Sequence, residues 1–430
     1  MRADPAALAM SLPSSTNPAA HDPATALPVA EAPPVAASGA TPGAIPPSGA
    51  STGPASPLQL PQRPALLGRA GWLAVLAAMT VACALLPALN LLVPADHPLH
   101  VDGYWISLLG KFCCYAMCAL AMDLIWGFAG ILSLGHGLYF ALGGYAMGMY
   151  LMRQIGTEGQ YRSALPDFMV FLDWKELPWH WALSDSFLAT MLLVLLVPGG
   201  IAFVFGFFAF RSRIKGVYFS IITQAMTYAA MLLFFRNETG FGGNNGFTDF
   251  KRLLGLSITT PGMRMTLFVL SAVALIGCYL GLRWLTRAKF GRVLSAVRDA
   301  ESRLMFCGYS PLPYKLAAWV LSALICGLAG ALYVPQVGII NPGEMSVANS
   351  IEIAVWAAVG GRGTLAGPIA GAFAVNGAKS WLTQFAPEYW LYLLGALFVA
   401  VTLFMPDGIA GLLKRKFGAK SARKTGEATA

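Results

Sequence analysis

From Gly71 onward the chain alternates long apolar runs with short polar or glycine-rich stretches. Runs near 20 residues are long enough to cross the roughly 30 Å hydrocarbon layer of a bilayer as helices. Ten spans are expected, at 71–93, 104–126, 131–152, 187–210, 216–235, 264–285, 314–335, 347–360, 365–384 and 389–410. The eighth and ninth are short and separated only by Gly360-Gly361-Arg362-Gly363-Thr364. Such a break at membrane depth is tolerated only where protein or a watery cavity satisfies the freed backbone groups. A similar break precedes the third span, where Gly127, Gly130 and Leu132 repeat the spacing of Gly360, Gly363 and Leu365. The pattern predicts an all-α, polytopic integral membrane protein of about ten transmembrane helices, including short helices at the breaks. An even count puts both termini on one side.

Three regions follow. Residues 1–65 are an Ala/Pro-rich N-terminal tail with too little apolar surface to offset the entropy of ordering, and this tail is expected to be disordered. Residues 66–412 form the membrane domain, and 413–430 form a basic tail.

Composition agrees with a membrane protein: 57% of residues are hydrophobic, 11% are charged and the mean hydropathy is +0.62. The net charge of +9 first suggests nucleic acid, but the positions of the basic residues assign it to topology. Basic side chains collect at Arg211, Arg213 and Lys215, at Arg287, Lys289, Arg292, Arg298 and Arg303, and at Lys414 to Lys424. The loops between these sets hold few: 153–186 has three basic residues against five acidic ones, and 94–103 and 336–346 have none. The basic loops and both termini are therefore expected in the cytoplasm, with no nucleic acid among the partners.

Catalytic patterns are missing from the sequence. The five histidines are dispersed outside any metal-binding spacing, and no phosphate-binding lysine loop or nucleophile elbow occurs. The seven cysteines suit helix packing and suggest no metal site or disulfide framework. The expectation is a protein that is not an enzyme and carries no cofactor, any ATP being handled by a partner. Ionisable residues inside spans are costly and default to functional candidates. Asp123 and Lys379 lie near enough to span ends to snorkel, whereas Lys111 and Glu352 do not.

The loop at 287–309 carries a further pattern. Phe290, Val293, Leu294, Val297 and Leu304 form one apolar helical stripe, with Arg292, Arg298, Asp299, Ser302 and Arg303 elsewhere. This amphipathic helix would lie either in the lipid headgroups or in a groove on a partner.

Asp299-Ala300-Glu301 followed by Gly308 resembles the coupling loop of ATP-binding-cassette importer permeases. Asp123 to His136, Phe290 to Leu294 and Gly360 to Pro368 together resemble the branched-chain amino acid type of permease, over roughly 100–410. Tyr145 to Met152, Phe168 to Pro178, Phe210 to Ser220 and Phe241 to Gly246 are similar to the urea permease branch of that type. The resemblance implies a bacterial inner-membrane subunit paired with a second, different permease, cytoplasmic ATP-binding subunits and a periplasmic substrate-binding protein. It also implies a coupling loop in which Arg292, Arg298, Asp299, Glu301, Arg303 and Gly308 meet the ATPase.

Two related halves are a common build for transporters, with the solute path between them. Urea, being small and neutral, requires hydrogen-bonding groups along that path, and Ser133, His136, Asn244, Asn245, Glu352 and Thr364 are the candidates. Each also has a plainer use, as cap, turn former or core residue. A branched-chain amino acid or short amide is the alternative substrate. A channel or secondary carrier for a small neutral solute, independent of ATP, is the alternative of another class.

Overall fold

The computed structural model describes residues 66–411 except 95, 386, 390, 391, 394, 397, 398, 401, 402 and 404–407. The N-terminal tail, the basic C-terminal tail and much of the tenth expected span lie outside the described residues.

The architecture is helical: α1 (Arg69–Leu91), α2 (Gly103–Phe128), α3 (His136–Arg153), α4 (Phe187–Arg211), α5 (Val217–Phe234), α6 (Pro261–Arg287), α7 (Lys289–Phe306), α8 (Pro311–Val337), α9 (Val347–Gly360) and α10 (Ala366–Phe385). Six of these, α1, α2, α4, α5, α6 and α8, are long and apolar enough to cross a membrane. The helix is the natural form for such sequences, because it satisfies every backbone hydrogen bond within its own segment. At 14 residues, α9 is about 21 Å long, short of a full crossing.

Helix α8 is the centre of the bundle, packed against α2, α3 and α4. Its approach to α3 is backbone to backbone: a Cβ on Gly143 would collide with the Gly327 carbonyl, and one on Gly330 with the Phe140 carbonyl. Small residues permit this contact. Gly367 and Gly371 do the same for α9 against α10, where added Cβ atoms would strike the carbonyls of Gly360 and Trp356.

At the end of the bundle opposite α7, loops fold into a cap. A short antiparallel pair joins β1 (Phe247–Thr248) to β4 (Ile339–Ile340), and a hairpin joins β2 (Arg252–Leu253) to β3 (Leu256–Ser257). Phe168 packs on Phe247 with ring centroids 5.0 Å apart, and the Trp181 indole donates to the Gly240 carbonyl at 3.0 Å. Two of the stretches similar to urea permeases, 168–178 and 241–246, thus lie in this cap.

The expected single stripe on α7 needs a correction. Val293, Leu294 and Val297 are buried as the periodicity requires, but Ala300 is non-helical (φ −158°, ψ 74°) and the helix kinks there. Met305 and Phe306 beyond the kink are exposed, Phe306 to 92%.

Candidate functional site

The two glycine breaks meet. Helix α2 ends in a widened turn, Leu124–Phe128, and the residues after it are non-helical until His136 starts α3. Gly130 and Gly363 occupy equivalent places in the two breaks and share a left-handed backbone, with φ +72° and +74°. Gly127 lies so close to Gly363 that any side chain there would strike its backbone amide. Only glycine fits such a crossing and such φ values without strain.

The freed backbone groups are satisfied by side chains from neighbouring helices. At the first break, the Ser220 hydroxyl donates to the Leu132 carbonyl at 2.8 Å, and the Leu134 amide donates to Thr223 Oγ1 at 3.1 Å. At the second, the Gly363 amide donates to Asp123 Oδ1 at 2.5 Å and the Leu365 amide to Oδ2 at 3.0 Å. Asp123 is 0% exposed, so it does not snorkel. Its carboxylate spans from the last turns of α2 to the start of α10, where unsatisfied amides and the helix dipole favour an anion. The Thr364 hydroxyl donates to the Gly361 carbonyl at 2.7 Å and accepts from the Gly367 amide at 3.0 Å.

Helix α7 is tied to the same place. Arg298 Nη1 donates to the Gly127 carbonyl at 2.6 Å, a cation at the C-terminal end of α2, while its Nε bonds Asp299 at 2.8 Å. The Arg298 hydrogen bond and charge hold the exposed Asp299 carboxyl below its usual range. Glu301 sits between Lys215 and Lys315, each 2.6 Å away. Burial alone would raise its pKa, but the two lysine hydrogen bonds and their charges win and the carboxyl falls below the usual range. A carboxyl lowered in this way contributes stability above the ordinary glutamate range and loses it as pH falls. Arg298, though itself exposed, and the half-buried Glu301 therefore reach into the bundle, while Arg292, Asp299, Arg303 and Gly308 are exposed without such a contact among the described residues.

A polar cavity of about 220 Å³ lies farther along the same helices. It is lined by Lys111, Tyr115 and Cys118 of α2, Gly137 and Phe140 of α3, Tyr333 of α8, Glu344 in the following loop, Asn349, Glu352, Ile353 and Trp356 of α9, and Lys379 of α10. Lys379 pairs with Glu352 at 2.7 and 3.0 Å, which replaces the snorkelling expected of it. Tyr333 and Asn349 donate to the two oxygens of Glu344 at 3.1 and 3.4 Å. Lys111 Nζ lies 5.5 and 5.8 Å from the ring centroids of Tyr115 and Tyr333. A lysine at the centre of a membrane helix costs about 2.5–3.5 kcal/mol on insertion scales, so packing alone does not account for it. Two larger hollows, of about 610 and 730 Å³, have almost entirely apolar linings that suit lipid or a neighbouring helix.

Of the six candidate path residues, Glu352 alone lines this cavity. Ser133 accepts from the Gly135 amide at 3.1 Å, and His136 is buried with Nε2 3.2 Å from Ser322 Oγ. Asn244 and Asn245 are exposed in the cap loop. Asn349, Glu352, Ile353 and Trp356 fall at i, i+3, i+4 and i+7, and Lys111, Tyr115 and Cys118 at i, i+4 and i+7. That helical spacing is the signal that would have found the lining. Among the described residues, no group of three or more His, Cys, Asp or Glu side chains is placed to hold a metal ion.

Helices that break at paired glycines and enclose a polar hollow between them are the working parts of a membrane permease. More narrowly, the chain belongs to the branched-chain amino acid transport system / permease component family, whose sequence profile matches residues 104–402. The branched-chain amino acid permease LivM of Salmonella typhimurium is 24% identical, over 78% of this chain and 77% of its own length. BraD of Pseudomonas aeruginosa, also named a branched-chain amino acid permease, is 23% identical over 69% and 91%. The fructose import permease FrcC of Rhizobium meliloti is 29% identical over a shorter stretch, 29% of this chain and 36% of its own. No solved structure matches the chain significantly.

Proposed function

We propose that this protein is a permease subunit of an ATP-binding-cassette importer in a bacterial inner membrane. It works with a second permease, cytoplasmic ATP-binding subunits and a substrate-binding protein outside the membrane. The observation that carries this reading is the link from α7 to both breaks: Arg298 to Gly127, and Asp123 to Gly363 and Leu365. An ATPase that grips the exposed side of α7 and moves it must either break the Arg298 bond or drag the end of α2. Asp123 then takes the start of α10 along. Docking can drive this exchange only if it favours one arrangement over the other.

For the solute, the names of LivM and BraD support a branched-chain amino acid more strongly than urea. Urea rests on the similarity of four stretches, two of them in the cap, and on the small cavity volume. FrcC, whose name gives a sugar, supports a scaffold that is not tied to one solute.

The test is uptake into proteoliposomes containing the assembled importer, with labelled leucine and urea in parallel. ATP-dependent accumulation of either solute, absent when the ATPase subunits are omitted, is the expected result. Passive flux through this chain alone would replace the importer with a channel. The solute that accumulates and competes out the other identifies the substrate.

A further inference from the structure

We infer that the cavity between α2, α3, α9 and α10 is a transit site for a small solute of zero net charge that bears both N–H donors and a carbonyl or carboxylate oxygen. The inference rests on the permease reading and deepens it.

The cavity presents unused hydrogen-bonding capacity of both kinds. Lys111 has three N–H donors and, among the described residues, no carboxylate within 4.0 Å; its neighbours are the faces of Tyr115 and Tyr333. Glu344 accepts one bond on each oxygen, leaving about half of its roughly four lone-pair sites unused. Donors therefore await an oxygen and acceptors await an N–H. An apolar or hydroxyl-free hydrocarbon solute would leave both unmatched, at a cost in binding.

Charge and size narrow the class. The lining holds two lysines, Lys111 and Lys379, and two glutamates, Glu344 and Glu352, which formally cancel. Neither a net anion nor a net cation is favoured, whereas a neutral amide or a zwitterion is. The volume of about 220 Å³ falls below the roughly 300–1,000 Å³ of drug-sized sites and equals about seven waters at ~30 Å³ each. Tyr115 and Trp356, packed on each other with ring centroids 4.8 Å apart, form an aromatic side of the cavity.

Placement ties the site to motion. Lys111 and Asp123 share α2, and Lys379 lies on α10, whose first residue follows the Leu365 amide that Asp123 holds. Any shift of α10 against α2 therefore changes the separation of the cavity walls.

The test uses the assembled importer with its binding protein. Lys111→Met and Glu344→Gln are expected to lower ATP-driven uptake at least tenfold, to raise KM and to change the ratio among leucine, urea and acetamide. The variants should still assemble with the other subunits to within twofold of wild type. Asn349→Ala, which removes the amide contacts to Glu344 and to the neighbouring Gly343 carbonyl, is the variant read if either of the others fails to assemble. A selective effect on leucine names the zwitterion, and one on urea and acetamide names the neutral amide. Uptake and selectivity within twofold of wild type in the assembled variants overturn the site. Failure of the wild-type importer to accumulate any of the three with ATP would instead overturn the permease reading.

Discussion

Replacing Asp123 by alanine is expected to abolish ATP-driven uptake and to destabilise the importer severely. The carboxylate is fully buried and is the acceptor for two backbone amides, Gly363 and Leu365, at 2.5 and 3.0 Å. Hydrogen bonds to a charged group contribute about 1.5–3 kcal/mol each, and leaving a buried donor unmatched costs about 1–3 kcal/mol. The loss therefore amounts to about 3–6 kcal/mol, a large share of the 5–15 kcal/mol that holds a typical domain folded. Asparagine should be nearly as harmful, because it keeps one carbonyl oxygen and turns an NH₂ group toward an amide that also donates. Glutamate should fail for another reason, since Gly127 and Gly363 already touch and leave no room for a further methylene. Thermal unfolding of the purified importer, read beside uptake, checks all three variants. Uptake within twofold of wild type in Asp123→Ala would remove the junction from the mechanism.

The breaks and the short helices were legible because glycine spacing and span length are local properties. Expected spans 347–360 and 365–384 differ by at most one residue from Val347–Gly360 and Ala366–Phe385. The third span was placed five residues early, since nothing local separates the non-helical residues 131–135 from the start of α3; Ser220 and Thr223, far along the chain, satisfy their backbone groups. The kink at Ala300 was hidden for a similar reason, because the stripe of Val293, Leu294 and Val297 persists on one side of it. Asp123 and Lys379 were misjudged because proximity to a helix end looks the same whether a side chain reaches water or a partner. Their partners lie 240 residues and 27 residues away in sequence. The cavity lining was written in helical periodicity on α2 and α9, but its closure by Tyr333 and Glu344 depends on how α8 and its loop pack.

Arg298→Ala should uncouple ATP hydrolysis from transport while leaving the fold intact. The side chain is partly exposed, and its pairing with the exposed Asp299 contributes little in water. Its bond to the Gly127 carbonyl is different, being charge-assisted, 2.6 Å long and made to the backbone of the break itself. Without it, α7 can move with the ATPase while α2 stays behind. The number of solute molecules imported per ATP should fall about tenfold, the factor that corresponds to about 1.4 kcal/mol of lost coupling. ATPase activity and the melting temperature should change little. Lysine should restore part of the coupling, because an ammonium can still donate to the Gly127 carbonyl although it cannot hold Asp299 at the same time. Asp299→Ala leaves the Gly127 bond in place and should transport normally. An unchanged import-to-ATP ratio in Arg298→Ala would mean that force enters the membrane helices elsewhere. Another route on this face is the Lys215–Glu301–Lys315 bridge.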